Sequence, residues 1–171
     1  HTACIGKWHL GLGWQTTDGA TLGDSADLTG ENIDFAKPFT HGPLNLGFDC
    51  FFGISASLDM PPYVYLENDR AVAIPAEMKP TTFRTGLTAE GFEPVNVLPD
   101  LADRAVAYIN ERHATKPEQP FFLYWAPGAG HGPHQVPRAW AEKYKGQFDD
   151  GWDAYRERVF ARLTQLGWIP A

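Results

Sequence analysis

The run Phe121-Phe122-Leu123-Tyr124-Trp125-Ala126 does most to limit the folds open to this chain. It is apolar throughout and lies between Pro120 and Pro127. It shows no polar alternation, so a strand built from it has no face meant for water. That is the pattern of a strand inside a parallel sheet. Upstream, Pro99-Asp100 opens a stretch in which Leu101, Ala105, Tyr108 and Ile109 recur at helical spacing; it fades near His113 and is closed by Lys116-Pro117. A helix that feeds such a strand is half of a β-α-β unit, so an α/β fold is expected.

Other segments fit that scheme less sharply. Residues 2–9 read as a strand running into a Gly-rich loop. Residues 10–62 read as loop-dominated, with an aromatic cluster at Phe48, Phe51 and Phe52. Tyr63 to Leu66 is β-prone and ends at Asn68-Asp69; Ala71 to Ile74 reads as a second short strand and residues 75–97 as irregular. A last helix is expected from about Trp152 to Leu166, with Trp152, Tyr155, Val159, Leu163 and Leu166 as its buried stripe and Gly167 as its end. Asp149-Asp150 suits that helix's N-terminus, where carboxylates meet the positive end of the dipole.

The length of 171 residues fits one domain with a real core. A net charge of −7 and the lack of any Lys/Arg run argue against a nucleic-acid partner. There is no apolar run long enough for a transmembrane helix. The chain begins at His1 without an initiator Met and reads as a fragment, so no leader is visible and the compartment stays open between cytoplasmic and periplasmic or secreted. Cys4 and Cys50 read as two buried thiols.

In open α/β sheets, functional groups gather just past the carboxyl ends of strands. Two segments meet that description. In Gly6-Lys7-Trp8-His9-Leu10-Gly11, an extended backbone would send Lys7 and His9 to one face. A point cation and an imidazole together suit an oxyanion such as sulfate or phosphate. In Gly128-Ala129-Gly130-His131-Gly132-Pro133-His134, two imidazoles sit in a Gly/Pro-rich loop. They read either as an anion-binding or catalytic imidazole beside the first segment or as a metal-binding pair; the glycines and Pro133 oppose the helix that would align both rings. No dinucleotide fingerprint, P-loop or nucleophile elbow occurs.

Gly6-Lys7-Trp8-His9-Leu10-Gly11 resembles the second signature of the sulfatases. The likeness continues through Gly42-Pro43 to Phe48-Asp49, through Phe51-Phe52-Gly53, and through Leu58-Asp59-Met60-Pro61-Pro62 to Asn68, which is similar to an arylsulfatase branch. Pro120 to Tyr124 with the loop to His134, and Tyr144-Lys145-Gly146 through Gly151-Trp152-Asp153 to Arg156, complete the ordered series. The resemblance implies a sulfuric ester hydrolase, with a small-molecule sulfate ester as its partner, on an alkaline-phosphatase-like α/β sandwich. Its mostly parallel central sheet would be flanked by helices, with long irregular loops. It also implies a formylglycine nucleophile and a calcium ion. By position, Lys7 would hold sulfate oxygens, His9 would interact with the formylglycine hydroxyls and assist collapse of the intermediate, and His131 would contact sulfate and the leaving oxygen, with His134 as a further substrate contact.

The departures are equally specific. Neither Cys4 nor Cys50 stands in the Cys/Ser-x-Pro/Ala-x-Arg pattern of a formylglycine precursor, and no calcium ligands match; no metal ligand is assigned here. Residues 1–171 therefore read as one partial sulfatase catalytic domain lacking its nucleophile region and C-terminal part, and these residues alone are expected to be inactive. A non-catalytic fragment or pseudoenzyme, and a phosphatase or phosphonate hydrolase of the same superfold, are the alternatives.

Overall fold

The expected parallel pairing is present, with the first strand lying between two parallel partners. The computed structural model describes residues 1–20, 22, 29–81 and 83–170, so part of the expected 10–62 loop region lies outside the described residues. The chain divides into two compact units, His1–Gln135 and Val136–Ala171. In the first unit, β1 (Thr2–Lys7) pairs in parallel with β2 (Cys50–Ile54), from Ala3 opposite Cys50 to Lys7 opposite Ile54. β3 (Leu66–Glu67) and β4 (Arg70–Ala71) extend the sheet antiparallel beyond β2, turning at Asn68, whose φ is 56°. A separate antiparallel hairpin is made by β5 (Glu77–Pro80) and β6 (Thr85–Thr88). The helix α1 (Val97–Thr115) packs against β1 and β2 and leads to β7 (Phe122–Ala126), which pairs in parallel with the free side of β1. The sheet order is β4-β3-β2-β1-β7.

Burial follows from that order. β1 is covered on both faces, and Ala3, Cys4 and Ile5 are 0–3% exposed. Phe51, Ile54, Leu66 and Leu101 join them in the core. The helix begins at Val97 rather than at Pro99; Pro99 falls in its first turn, where a missing N–H costs nothing. Its buried stripe is Val97, Leu101, Ala105, Tyr108 and Arg112, while Ile109 is 40% exposed. Ile109 lies one residue, about 100° of helix, past Tyr108 and so turns off the stripe.

Several other expectations need correcting. β7 is not buried on both faces: Phe122 is 58% and Tyr124 44% exposed. It is the edge strand of the sheet, and Phe48 stacks on both of those rings from one side. The β5–β6 hairpin runs through a stretch that reads as irregular, because its β5 residues are all exposed and give no apolar signal. The Tyr63–Leu66 run is mostly buried coil bridged to Thr88, with only Leu66 in a strand. The Ala71–Ile74 run contributes only Ala71 to a strand, and Val72 and Ile74 are exposed. Cys50 is only half-buried, and both thiols are free.

The second unit holds a single-turn helix, α2 (Arg138–Ala141), and α3 (Gly151–Gln165), with Gly167 just beyond at φ +71°. None of the five stripe residues of α3 is buried, and Trp152 is 85% exposed. A unit this small has no second long element of its own to lay over the helix. Asp150 stands at the N-cap position, but its carboxylate pairs with Arg158 rather than capping an amide.

Candidate active site

Because β1 is paired in parallel on both sides, β2, β1 and β7 all end on one rim of the sheet. No room is left for a side chain at Gly6, which lies opposite both Gly53 and Ala126. A Cβ on Gly6 would fall 2.1 Å from the Ala126 carbonyl oxygen, and one on Gly53 would fall 1.8 Å from the Gly6 carbonyl oxygen. Only glycine fits at either place. The residue after this pinch is Lys7, half-buried at the end of β1.

The chain then turns. The amides of Trp8 and His9 still donate to the carbonyls of Ile54 (3.0 Å) and Ser55 (2.9 Å), following the end of β2. The buried Trp8 donates its indole N–H to the Gly11 carbonyl at 2.8 Å and so fastens the loop. His9 has φ +58°. The extended alternation expected to align Lys7 with His9 therefore stops at Lys7, and a left-handed residue re-aims the imidazole. Its Nδ1 lies 3.1 Å from Oγ of Ser57, which is itself buried.

Electrostatics shows which groups share the space around His9. His9 is exposed at the rim, and its pKa is held below the usual histidine value first by partial desolvation of the ring, then by the charges of Lys7 and His131; the Asp59 carboxylate pulls the other way. Lys7 from β1 and His131 from the loop after β7 thus act on one imidazole, although they lie far apart in sequence. His131 is exposed, and its Nδ1 is 2.5 Å from the Gly132 carbonyl oxygen. A carbonyl only accepts, so Nδ1 carries the proton and Nε2 is the nitrogen left to meet a ligand. His134 is also exposed and is not among the groups acting on His9. Among the described residues, no group of three or more His, Cys, Asp or Glu side chains is arranged to hold a metal ion.

Ser57 and Asp59 are the members of this cluster that residue-level reading overlooks. Asp59 reads only as part of the arylsulfatase-like block from Leu58 to Asn68, and Ser57 carries no motif. Both lie just past the carboxyl end of β2, so recognising Cys50–Ile54 as a parallel strand is the signal that would have found them. Neither cysteine fits a nucleophile. The Cys4 thiol, fully buried in β1, is pushed up to about 12 chiefly by burial. The Cys50 thiol is also raised, again first by burial.

Comparison with known proteins agrees with this geometry. The family model "Sulfatase" matches residues 1–168. An arylsulfatase of Klebsiella aerogenes is 32% identical over 174 residues, covering 99% of this chain and 30% of that protein. The chain thus spans just under a third of the length of that relative. A solved structure described as "Metabolism of multiple glycosaminoglycans by Bacteroides thetaiotaomicron is orchestrated by a versatile core genetic locus (BT33336S-sulf)" superposes with a TM-score of 0.58 at 22% identity, covering 83% of this chain and 34% of the other. That likeness supports the fold, a mixed α/β arrangement of alkaline-phosphatase type. With the signature segments on the rim of a parallel sheet and a family match running nearly end to end, the chain belongs to the sulfatase family.

Proposed function

We propose that this chain forms part of an arylsulfatase-type enzyme and carries three of the groups that act on the sulfate ester. The observation behind this reading is that Lys7, at the end of β1, and His131, in the loop after the neighbouring parallel β7, both act on His9. In this reading the Lys7 ammonium holds sulfate oxygens and offsets the charge gathering on them as the ester S–O bond breaks. His131, its Nδ1–H anchored on Gly132, acts as the imidazolium: it gives the second proton, on Nε2, to the departing alcohol or phenol oxygen and is left neutral. His9, neutral more readily than an ordinary histidine, accepts a proton on the opposite side of the cycle. His134 is assigned to the substrate's outer part.

Family likeness implies a formylglycine and a calcium ion as well. Their residues would come from the part of the relatives' length that this chain does not span. No step is built on either here. The 171 residues alone are expected neither to bind calcium tightly nor to turn over an aryl sulfate.

The test is turnover of nitrophenyl sulfate and nitrophenyl phosphate, side by side, by the complete protein and its Lys7→Ala and His131→Ala variants. The sulfate ester should be preferred, and each variant should lose about 10²–10³ in kcat. A preference for phosphate, or variants that keep full rate, would overturn the assignment.

A further inference from the structure

One polar atom beside the site has no explanation in the fold. Oδ1 of Asp59 is buried and has no hydrogen-bond partner. Buried carboxylate oxygens are nearly always satisfied, and leaving one without a donor is costly. If Asp59 served only to shape its loop, its side chain would bond the turn's own amides, as Asp does in Asx turns. The turn is closed without it: the Met60 amide donates to the Ser57 carbonyl at 2.9 Å.

That turn joins two groups that concern His9. Its first residue, Ser57, is 3% exposed and holds Nδ1 of the imidazole. Its third is Asp59, whose charge reaches the same ring. The groups facing His9 from the packed elements are therefore Lys7 from β1, His131 from the loop after β7, and Ser57 and Asp59 from the turn after β2. Two of them, Lys7 and His131, drive a proton off His9, and Asp59 alone draws one on. With the cations alone, His9 would have no charge beside it that favours its protonated form. It could then accept a proton in a reaction cycle only against two charges.

We propose that Asp59 is a positioning residue for His9, its unsatisfied carboxylate oxygen being kept in reserve to receive the imidazole when His9 takes up a proton, while Ser57 steers the ring. This rests on the reading of His9 as a proton-handling group of the sulfatase site. The proton moves from substrate or water to the His9 ring; Asp59 takes none and supplies countercharge and direction. Removing the charge should leave the fold intact, because Asp59→Asn is nearly isosteric and takes the charge away from a buried oxygen that has no hydrogen-bond partner.

The experiment is a histidine-resolved NMR pH titration of the ¹⁵N-labelled chain, wild type against Asp59→Asn. The His9 midpoint should move to lower pH in the variant, and an unmoved midpoint overturns the proposal. A second measurement needs no variant: the Asp59 side-chain carbon resonance in the wild-type chain should inflect at the His9 midpoint, and a resonance with no such inflection also overturns it. In the complete enzyme, Asp59→Asn should lower kcat about tenfold with KM within about twofold; an unchanged kcat overturns the proposal. The outcomes separate from those of the functional reading. A complete protein inactive on sulfate esters whose His9 still responds to Asp59 removes the activity and keeps this coupling. An active enzyme whose His9 ignores Asp59 removes the coupling and keeps the activity.

Discussion

Replacing Gly6 by alanine tests whether the rim is held by backbone packing. The backbone φ there is +138°, and the new methyl group would meet the Ala126 carbonyl oxygen at 2.1 Å and its carbonyl carbon at 2.5 Å. Carbon–oxygen contacts settle at about 3.3 Å or more, so β1 and β7 would have to part by about 1 Å beside Lys7. The unfavourable φ costs about 1–3 kcal/mol, and forcing a methyl into a filled space costs about 1–3 kcal/mol more. A central loss of about 4 kcal/mol, at about 2–4 °C per kcal/mol for a chain of this size, lowers Tm by about 8–16 °C. Gly11→Ala is the internal control. Its φ is +82°, but nothing lies within 4 Å of the added methyl. It bears only the backbone cost of about 1–2 kcal/mol. Thermal melts followed by circular dichroism compare the three proteins. A Gly6→Ala protein that melts no lower than Gly11→Ala would refute the argument.

Two further outcomes follow from the titrating groups. The folded-state pKa of His9 lies below its ordinary 6.5, so just below that pH the unfolded chain binds more protons than the folded one. The stabilisation from a neutral His9 is complete above about 6.5 and is lost as pH falls through the lowered value. The urea midpoint should fall between about pH 7.5 and about pH 5.5, and His9→Asn, which tolerates the left-handed backbone, should make that fall smaller; an identical fall in both proteins would contradict it. Native alkylation with iodoacetamide, followed by mass spectrometry, should label the half-buried Cys50 before Cys4, whose thiol is both fully buried and pushed up to about 12. Equal rates would mean that the sheet opens at Cys4 far more readily than its packing allows.

What the amino-acid order conveyed was mostly what leaves an apolar trace. Phe121–Ala126 announced a parallel sheet, and the 101–108 spacing announced the helix before it. Lys7, His9 and His131 stood out because their residue types and glycine neighbours are informative, and parallel pairing puts the segments that carry them at one end of the sheet. β2 was harder to see: Cys50-Phe51-Phe52-Gly53-Ile54 carries a glycine that lowers strand propensity and is there because the Gly6 carbonyl comes so close. Losing that strand hid Ser57 and Asp59. The exposed β7 face and the uncovered α3 stripe show the reverse problem. An apolar pattern says that a surface wants cover, not what provides it. The turn at His9 is invisible to periodicity, because one residue of positive φ resets the direction of everything after it.

The pairing of β1 with two parallel partners also bears on how such a rim diversifies. Three strand tips sit at fixed lateral steps of about 4.8 Å, while the returning segments between them travel through other parts of the unit. Length added to those returns changes the walls around a bound molecule without moving the tips. New specificities can therefore arise by insertion between β1 and β2, or between β2 and β7, under a charge arrangement that stays as it was.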